Sequence, residues 1–201
     1  MAMGLLLASA RKIIFKLEIC IPQSLVGVEV TGSTLGIIGM GHIGYKIAQR
    51  SKGFDMKILY HNRHRSVEDE QSVGASYCEN MDDLLREADF VVLVVNLSPE
   101  TKGLISHREL SLMKPTATLV NVSRGLVVDQ DALVKALQSG EIRAAALDNL
   151  HKVYIQEHYS KIVSEFVNLI VDPLAIFTSE TLGHSGALFM PNHVTDLLQT
   201  D

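Results

Sequence analysis

Gly39-Met40-Gly41-His42-Ile43-Gly44 decides the reading of this chain, because of what stands on either side of it. Leu35-Gly36-Ile37-Ile38 leads in as an apolar run, and Tyr45-Lys46-Ile47-Ala48 leads out with helical spacing. Strand, glycine-spaced turn and helix in that order form the βα turn that binds a dinucleotide pyrophosphate. Gly39 permits the sharp turn, Gly41 lets backbone approach the phosphates, and Gly44 lets the helix pack closely on the strand. The helix start contributes unpaired N–H groups and a partial positive charge, so the amides of His42 and Ile43 are expected to face the phosphates.

Outward from this turn, apolar runs alternate with helix-period segments as far as Asp148, the pattern of a parallel sheet covered on both faces. The runs predict strands over Leu35–Ile38, Lys57–Tyr60, Phe90–Val95, Ala117–Asn121 and Ala144–Asp148, with a short extra strand near Ala75–Tyr77. Helices are expected over His42–Lys52, Met81–Ala88, His107–Met113 and Gln130–Leu137, the last stopped by Gly140. The fold class is therefore α/β, a Rossmann-type doubly wound parallel sheet. Residues 29–149 form the dinucleotide-binding domain in this reading. Residues 1–28 hold one apolar helix and an irregular linker, and residues 150–201 form a divergent, partly ordered tail.

Bulk properties narrow the function. The 201 residues are 47% hydrophobic and 20% charged, which describes a globular chain. A formal net charge of -5 argues against nucleic acid, whose binders carry a basic patch or stripe. Cys20 and Cys78 supply neither a disulfide framework nor metal-ligand spacing, so no metal is expected. No apolar run is long enough to span a bilayer. Met1–Ala10 is apolar, but Arg11 and Lys12 follow it instead of preceding it, which favours a buried helix over a secretion signal. The expected location is the cytoplasm.

Three further stretches carry chemistry. After the second strand comes His61-Asn62-Arg63-His64-Arg65. Roughly 20 residues beyond the glycine loop, an NAD-selective site places an acid on the ribose 2′-OH. Asn62 stands there instead, followed by Arg63 and Arg65, a set that accepts a 2′-phosphate and favours NADP(H) over NAD(H). The alternative is a solvated basic turn. Next, Asn121-Val122-Ser123-Arg124-Gly125 leaves the fifth strand at the ligand-binding edge, where Arg124 is placed to grip a carboxylate. Asp148 ends a further strand at the same edge and can accept a hydrogen bond from a cofactor amide.

VEVTGSTLGIIGMGHIG, LSPETKGLI, and LMKPTATLVNVSRGLVVDQDAL followed by IRAAALD together resemble the D-isomer-specific 2-hydroxyacid dehydrogenases, nearest to their glyoxylate/hydroxypyruvate reductase branch. MAMGLLLASARKI resembles the helix that joins the two domains of that family. The resemblance implies hydride transfer from NAD(P)H to a small 2-keto acid and a homodimer joined through this domain. It assigns His42 and Ile43 to the pyrophosphate, and Asn62 and Arg63 to the adenosine ribose or its phosphate. Val122, Ser123 and Asp148 would line the nicotinamide, and Arg124 would hold the substrate carboxylate and polarise its carbonyl.

The chain also departs from the family pattern. About one domain's worth of substrate-binding residues is absent ahead of the interdomain helix. After Asp148 comes Asn149, and Val153 stands about where the family has the glutamate that orients a histidine acid. Two registers compete for that histidine. In one, Asn168–Pro173 is the strand and proline, and Leu174 takes the histidine's place; in the other, His184-Ser185-Gly186-Ala187 supplies it. Strand and proline arriving together favour the first, which removes general acid catalysis worth roughly 10²–10⁴-fold. The expectation is an oxidoreductase impaired in this form, or alternatively an inactive NADP(H)-binding or dimerising protein.

Overall fold

The computed structural model of the chain describes residues 1–11, 27–148 and 169–171. Its centre is a seven-stranded sheet in which every neighbouring pair is parallel. The strands are β1 (Thr34–Ile38), β2 (Lys57–His61), β3 (Ala75–Tyr77), β4 (Phe90–Leu93), β5 (Thr118–Asn121), β6 (Ala144–Leu147) and β7 (Leu169–Val171). They run across the sheet in the order β3-β2-β1-β4-β5-β6-β7. The order reverses between β1 and β4, which makes that junction the switch point where open α/β sheets hold ligands.

Alternation along each strand explains why both faces are covered. Leu35 and Ile37 of β1 join Phe90 and Val92 of β4, Val120 of β5 and Ala146 of β6 in one core. That core is closed by α1 (Ala2–Arg11), α2 (His42–Ser51) and α3 (Val67–Val73). The residues between them in sequence, Ile38, Val91, Leu93, Leu119, Ala145 and Leu147, face the opposite core beneath α4 (Met81–Glu87), α5 (His107–Leu112) and α6 (Gln130–Ser139). Burial of a side chain such as Leu6, Ile37 or Leu119 contributes about 1.5–3 kcal/mol each. The N-terminal helix packs on β5, β6 and α2, burying Leu5, Leu6, Ser9 and Ala10.

The expected strands all form, including the short one at Ala75–Tyr77, with ends shifted by one or two residues. The largest shift is at β4, which stops at Leu93 although the apolar run continues through Val95. There the Val94 amide donates to Ile38 O at 2.9 Å as the last rung of the β1–β4 ladder, and the pairing ends because β1 turns away at Gly39, with φ of 104°. Helix α3 is not expected from the sequence. Its span carries apolar residues only at Val67 and Val73, which gives no helical stripe. Acids in its first turn and Gly74 at its C-cap, with φ of 69°, hold it instead. Helix α6 ends at Gly140, likewise left-handed at φ 71°.

Candidate functional site

Strand register sets the site. Ile38 is level with His61 and with Leu93; Leu93 is level with Asn121, and Asn121 with Leu147. The glycine turn, the loop after β2, the loop after β4 and the turn after β5 therefore leave the sheet along one line, and Asp148 follows directly on β6. The Asp148 amide donates to Asn121 O at 2.9 Å, which fixes that residue beside the β5 turn.

The turn after β1 is built by exclusion. Gly39 has φ of 104°, and a Cβ there would lie 2.5 Å from Val94 O, so both conformation and space demand glycine. A Cβ on Gly44 would strike Gly39 O, which is how α2 sits close on the strand. Gly41 differs: its φ of −92° suits any residue, and a Cβ would meet nothing within 4 Å. The chain's own packing does not require glycine at 41. The empty space above it is what an approaching ligand needs. Gly41 caps α2 without a side-chain hydrogen bond, and the first amide of the helix ladder is that of Tyr45, donating to Gly41 O at 2.9 Å. The amides of His42 and Ile43 consequently lack an intrahelical acceptor. Both residues are exposed, Ile43 to 62%.

Beyond β2, Gly39 N donates to His61 O at 3.0 Å, so the glycine turn and the second loop are tied together. His61 Nδ1 lies 3.0 Å from Cys78 O, while Tyr77 Oη donates to Asn62 O at 3.2 Å. The two arginines have different fates. Arg65 is gripped by Glu70, from Nε to Oε1 at 2.7 Å and from Nη2 to Oε2 at 2.9 Å. Arg63 is exposed and makes no hydrogen bond or ion pair among the described residues. Its charge reaches the loop after β4, where it is one of the influences that lower the Glu100 pKa, behind the Ser98 hydroxyl bond. That loop is self-tied: Thr101 Oγ1 donates to Asn96 O at 2.6 Å, and Ser98 N donates to Thr101 Oγ1 at 2.8 Å.

A side chain that sequence reading overlooked organises the turn after β5. Asn121, 1% exposed, accepts from Ser123 N at 3.0 Å and from Ser123 Oγ at 2.7 Å, and donates from Nδ2 to Arg124 O at 3.0 Å. All its polar atoms are spent on shaping residues 121–124. Ser123 is buried as a result, Val122 half-buried, and Arg124 exposed, with Nη1 donating to Ser123 O at 3.1 Å. Among the described residues Arg124 has no carboxylate partner. A polar residue closing an otherwise apolar strand was the available signal. His184, Asn149, Val153 and Leu174 lie outside the described residues.

A parallel sheet with this strand order and an open glycine turn at the switch point defines a Rossmann-type dinucleotide-binding unit. Residues 4–173 match the sequence model of the D-isomer specific 2-hydroxyacid dehydrogenase NAD binding domain, and the chain belongs to that family. It is 47% identical over 152 residues to a glyoxylate reductase of Thermococcus onnurineus, covering 76% of this chain and 44% of that protein. To glyoxylate/hydroxypyruvate reductase B of Salmonella paratyphi B it is 44% identical over 155 residues, covering 73% and 48%. The NAD-complexed D-isomer specific 2-hydroxyacid dehydrogenase of Lactobacillus delbrueckii ssp. bulgaricus superposes with a TM-score of 0.75 at 31% identity, over 88% of this chain and 58% of that one. The chain spans just under half the length of the curated relatives it matches. No helix among the described residues is long and apolar enough to cross a membrane.

Proposed function

We propose that the chain binds a reduced nicotinamide dinucleotide along the carboxyl edge of its sheet, prefers NADPH, and serves the reduction of a small 2-keto acid of the glyoxylate or hydroxypyruvate kind. The observation that carries this reading is Gly41, a glycine with open space above it and, beside it at the switch point, two amides that have no acceptor among the described residues. In this reading the His42 and Ile43 amides hold the pyrophosphate, helped by the helix dipole. Asn62 and Arg63 meet the 2′ end of the adenosine ribose, where the lack of an acid removes the repulsion a 2′-phosphate would feel. Val122, Ser123 and Asp148 line the nicotinamide.

The bound dinucleotide supplies the hydride. Arg124 orients the keto acid through its carboxylate and polarises the carbonyl by donating to the oxygen where negative charge develops. The exposed guanidinium on a turn held by buried Asn121 suits that task, because among the described residues no carboxylate pairs with it. Residues 29–149 act as the binding unit, and the same reading takes the protein to work as a homodimer in the cytoplasm.

A second reading, dinucleotide binding without turnover, rests on Val153 and Leu174 standing where the family pattern carries its glutamate and histidine. His184 is the remaining candidate for the proton donor. A steady-state assay with glyoxylate and NADPH separates the two. Turnover that Arg124→Ala abolishes supports the reductase; cofactor binding without turnover supports the second reading; neither binding nor turnover defeats both.

A further inference from the structure

The loop that follows β2 is closed by a polar cluster which the function above leaves unused. Glu70 of α3 receives both side-on donors of Arg65, and Tyr60 Oη donates to the same carboxylate at 2.7 Å. Ser66 N donates to Tyr60 Oη at 3.1 Å. The Tyr77 ring packs against the Tyr60 ring, with centroids 5.3 Å apart, and lies 5.7 Å from the Arg65 guanidinium carbon. Tyr60 is fully buried, and the Glu70 side chain is 11% exposed. The Arg65 and Tyr60 hydrogen bonds hold the Glu70 carboxyl down to about 2. Burial, with Glu70 behind it, pushes the Tyr60 phenol up to about 12. The carboxylate is therefore charged throughout the neutral range and needs a cation.

Of the two arginines in this loop, Arg65 takes the Glu70 carboxylate, while Arg63 is exposed and makes no hydrogen bond or ion pair among the described residues. A bidentate arginine–carboxylate pair is among the stronger polar contacts available, and its geometry occupies one edge of the fork completely. While Arg65 fills that role, the negative charge of Glu70 is neutralised next to residues 62–66 and does not repel an incoming phosphate. Tyr77 at the same time holds the Asn62 carbonyl.

We propose that Arg65 is a positioning residue for cofactor selectivity: by neutralising Glu70 and pinning residues 62–66, it leaves Asn62 and Arg63 to meet the ribose 2′ group and does not itself touch the phosphate. The proposal rests on the NADPH-preferring reading above. It differs from the plain expectation of two phosphate-binding arginines, in which Arg65 would be a direct ligand.

Titration calorimetry with NADPH and with NADH on the full chain tests it, using wild type, Arg65→Ala, Arg65→Ala/Glu70→Gln and Arg63→Ala. Arg65→Ala lowers NADPH affinity about tenfold while NADH affinity stays within about twofold, the scale of one partly screened charge. Adding Glu70→Gln restores NADPH affinity to within about twofold of wild type, because the unneutralised carboxylate that repels the phosphate is gone. Arg63→Ala lowers NADPH affinity selectively. A double variant as weak for NADPH as Arg65→Ala overturns the proposal and makes Arg65 a phosphate ligand; an Arg65→Ala variant that binds both cofactors like wild type overturns it too. Wild type with equal affinity for the two cofactors defeats the NADPH reading itself, and the proposal with it. NADH binding and the melting curve report whether each variant folds, and Arg65→Gln replaces Arg65→Ala if the latter does not.

Discussion

The turns after β1 and after β5 leave the same sheet edge and are made in opposite ways. The first is made of absences: Gly39 and Gly44 remove side chains where backbone must touch backbone, and Gly41 leaves space unfilled. The second is made by a side chain, since buried Asn121 spends both amide atoms on holding Ser123 and Arg124. One turn thus offers backbone amides and the other a charged side chain. Mutations at the first act by steric intrusion, whereas mutations at the second act either through the scaffold or through the exposed charge, and the two effects can be separated.

The largest effect is expected at the exposed charge. Arg124→Ala lowers the rate of glyoxylate-dependent NADPH oxidation by about 10²–10³-fold, as loss of a donor to a developing oxyanion does. Its unfolding free energy, read by denaturant titration, shifts by no more than about 0.5 kcal/mol, because the side chain is exposed and its one hydrogen bond goes to the neighbouring backbone carbonyl. A variant that loses stability instead would place Arg124 in the scaffold and blur the contrast.

At the glycine turn, Gly39→Ala forces φ of 104° on a residue with a Cβ aimed at Val94 O. Denaturant unfolding should show a loss of about 2–4 kcal/mol, combining left-handed strain with steric overlap. Wild-type stability in this variant would mean the β1 turn is more yielding than its packing indicates. Asn121→Ala comes next, costing about 2–3 kcal/mol from the loss of three hydrogen bonds in a buried turn. It should also cost the activity that Arg124 provides. If stability falls and activity does not, Arg124 is not positioned by Asn121.

The smallest effect concerns pH and the loop that borders the glycine turn. The folded Glu70 pKa lies below its ordinary value of 4.5, so its contribution to stability is complete above that value and is lost as pH falls towards about 2. Glu70→Gln should flatten the acid limb of the stability–pH curve in that window and leave the neutral region flat. An unchanged acid limb would show that the Arg65 pair contributes nothing measurable, as many exposed ion pairs do.

How far the sequence could be read follows the same contrast. The glycine turn was legible because its requirements are steric and local: Gly39, Gly41 and Gly44 stand at fixed spacing between an apolar run and a periodic helix. The level edge was legible too, since the apolar runs of β2, β5 and β6 each give way to polar residues at the same height. The pairing of Arg65 was hidden, because a run of basic residues looks the same whether its charges are free or spent. Its partner five residues on, in a helix with no apolar stripe, gives no periodic signal. Asn121 shows in the sequence only as a polar residue at a strand end, because its hydrogen bonds to the next two or three residues leave no mark on composition. Val94 and Val95 are apolar and so suggest a longer β4, but its neighbour β1 turns away at Gly39 and the ladder stops with it.

Gly41→Ala tests the central claim most directly, because at that position the chain's own packing is indifferent and only a ligand would object. Calorimetric titration with NADPH beside a melting curve should give a clear binding heat for wild type, affinity at least about tenfold weaker for the variant, and stability equal within about 0.5 kcal/mol. No binding heat for folded wild type, or a Gly41→Ala variant that binds NADPH as tightly as wild type, would contradict a nucleotide seated on the amides at the start of α2.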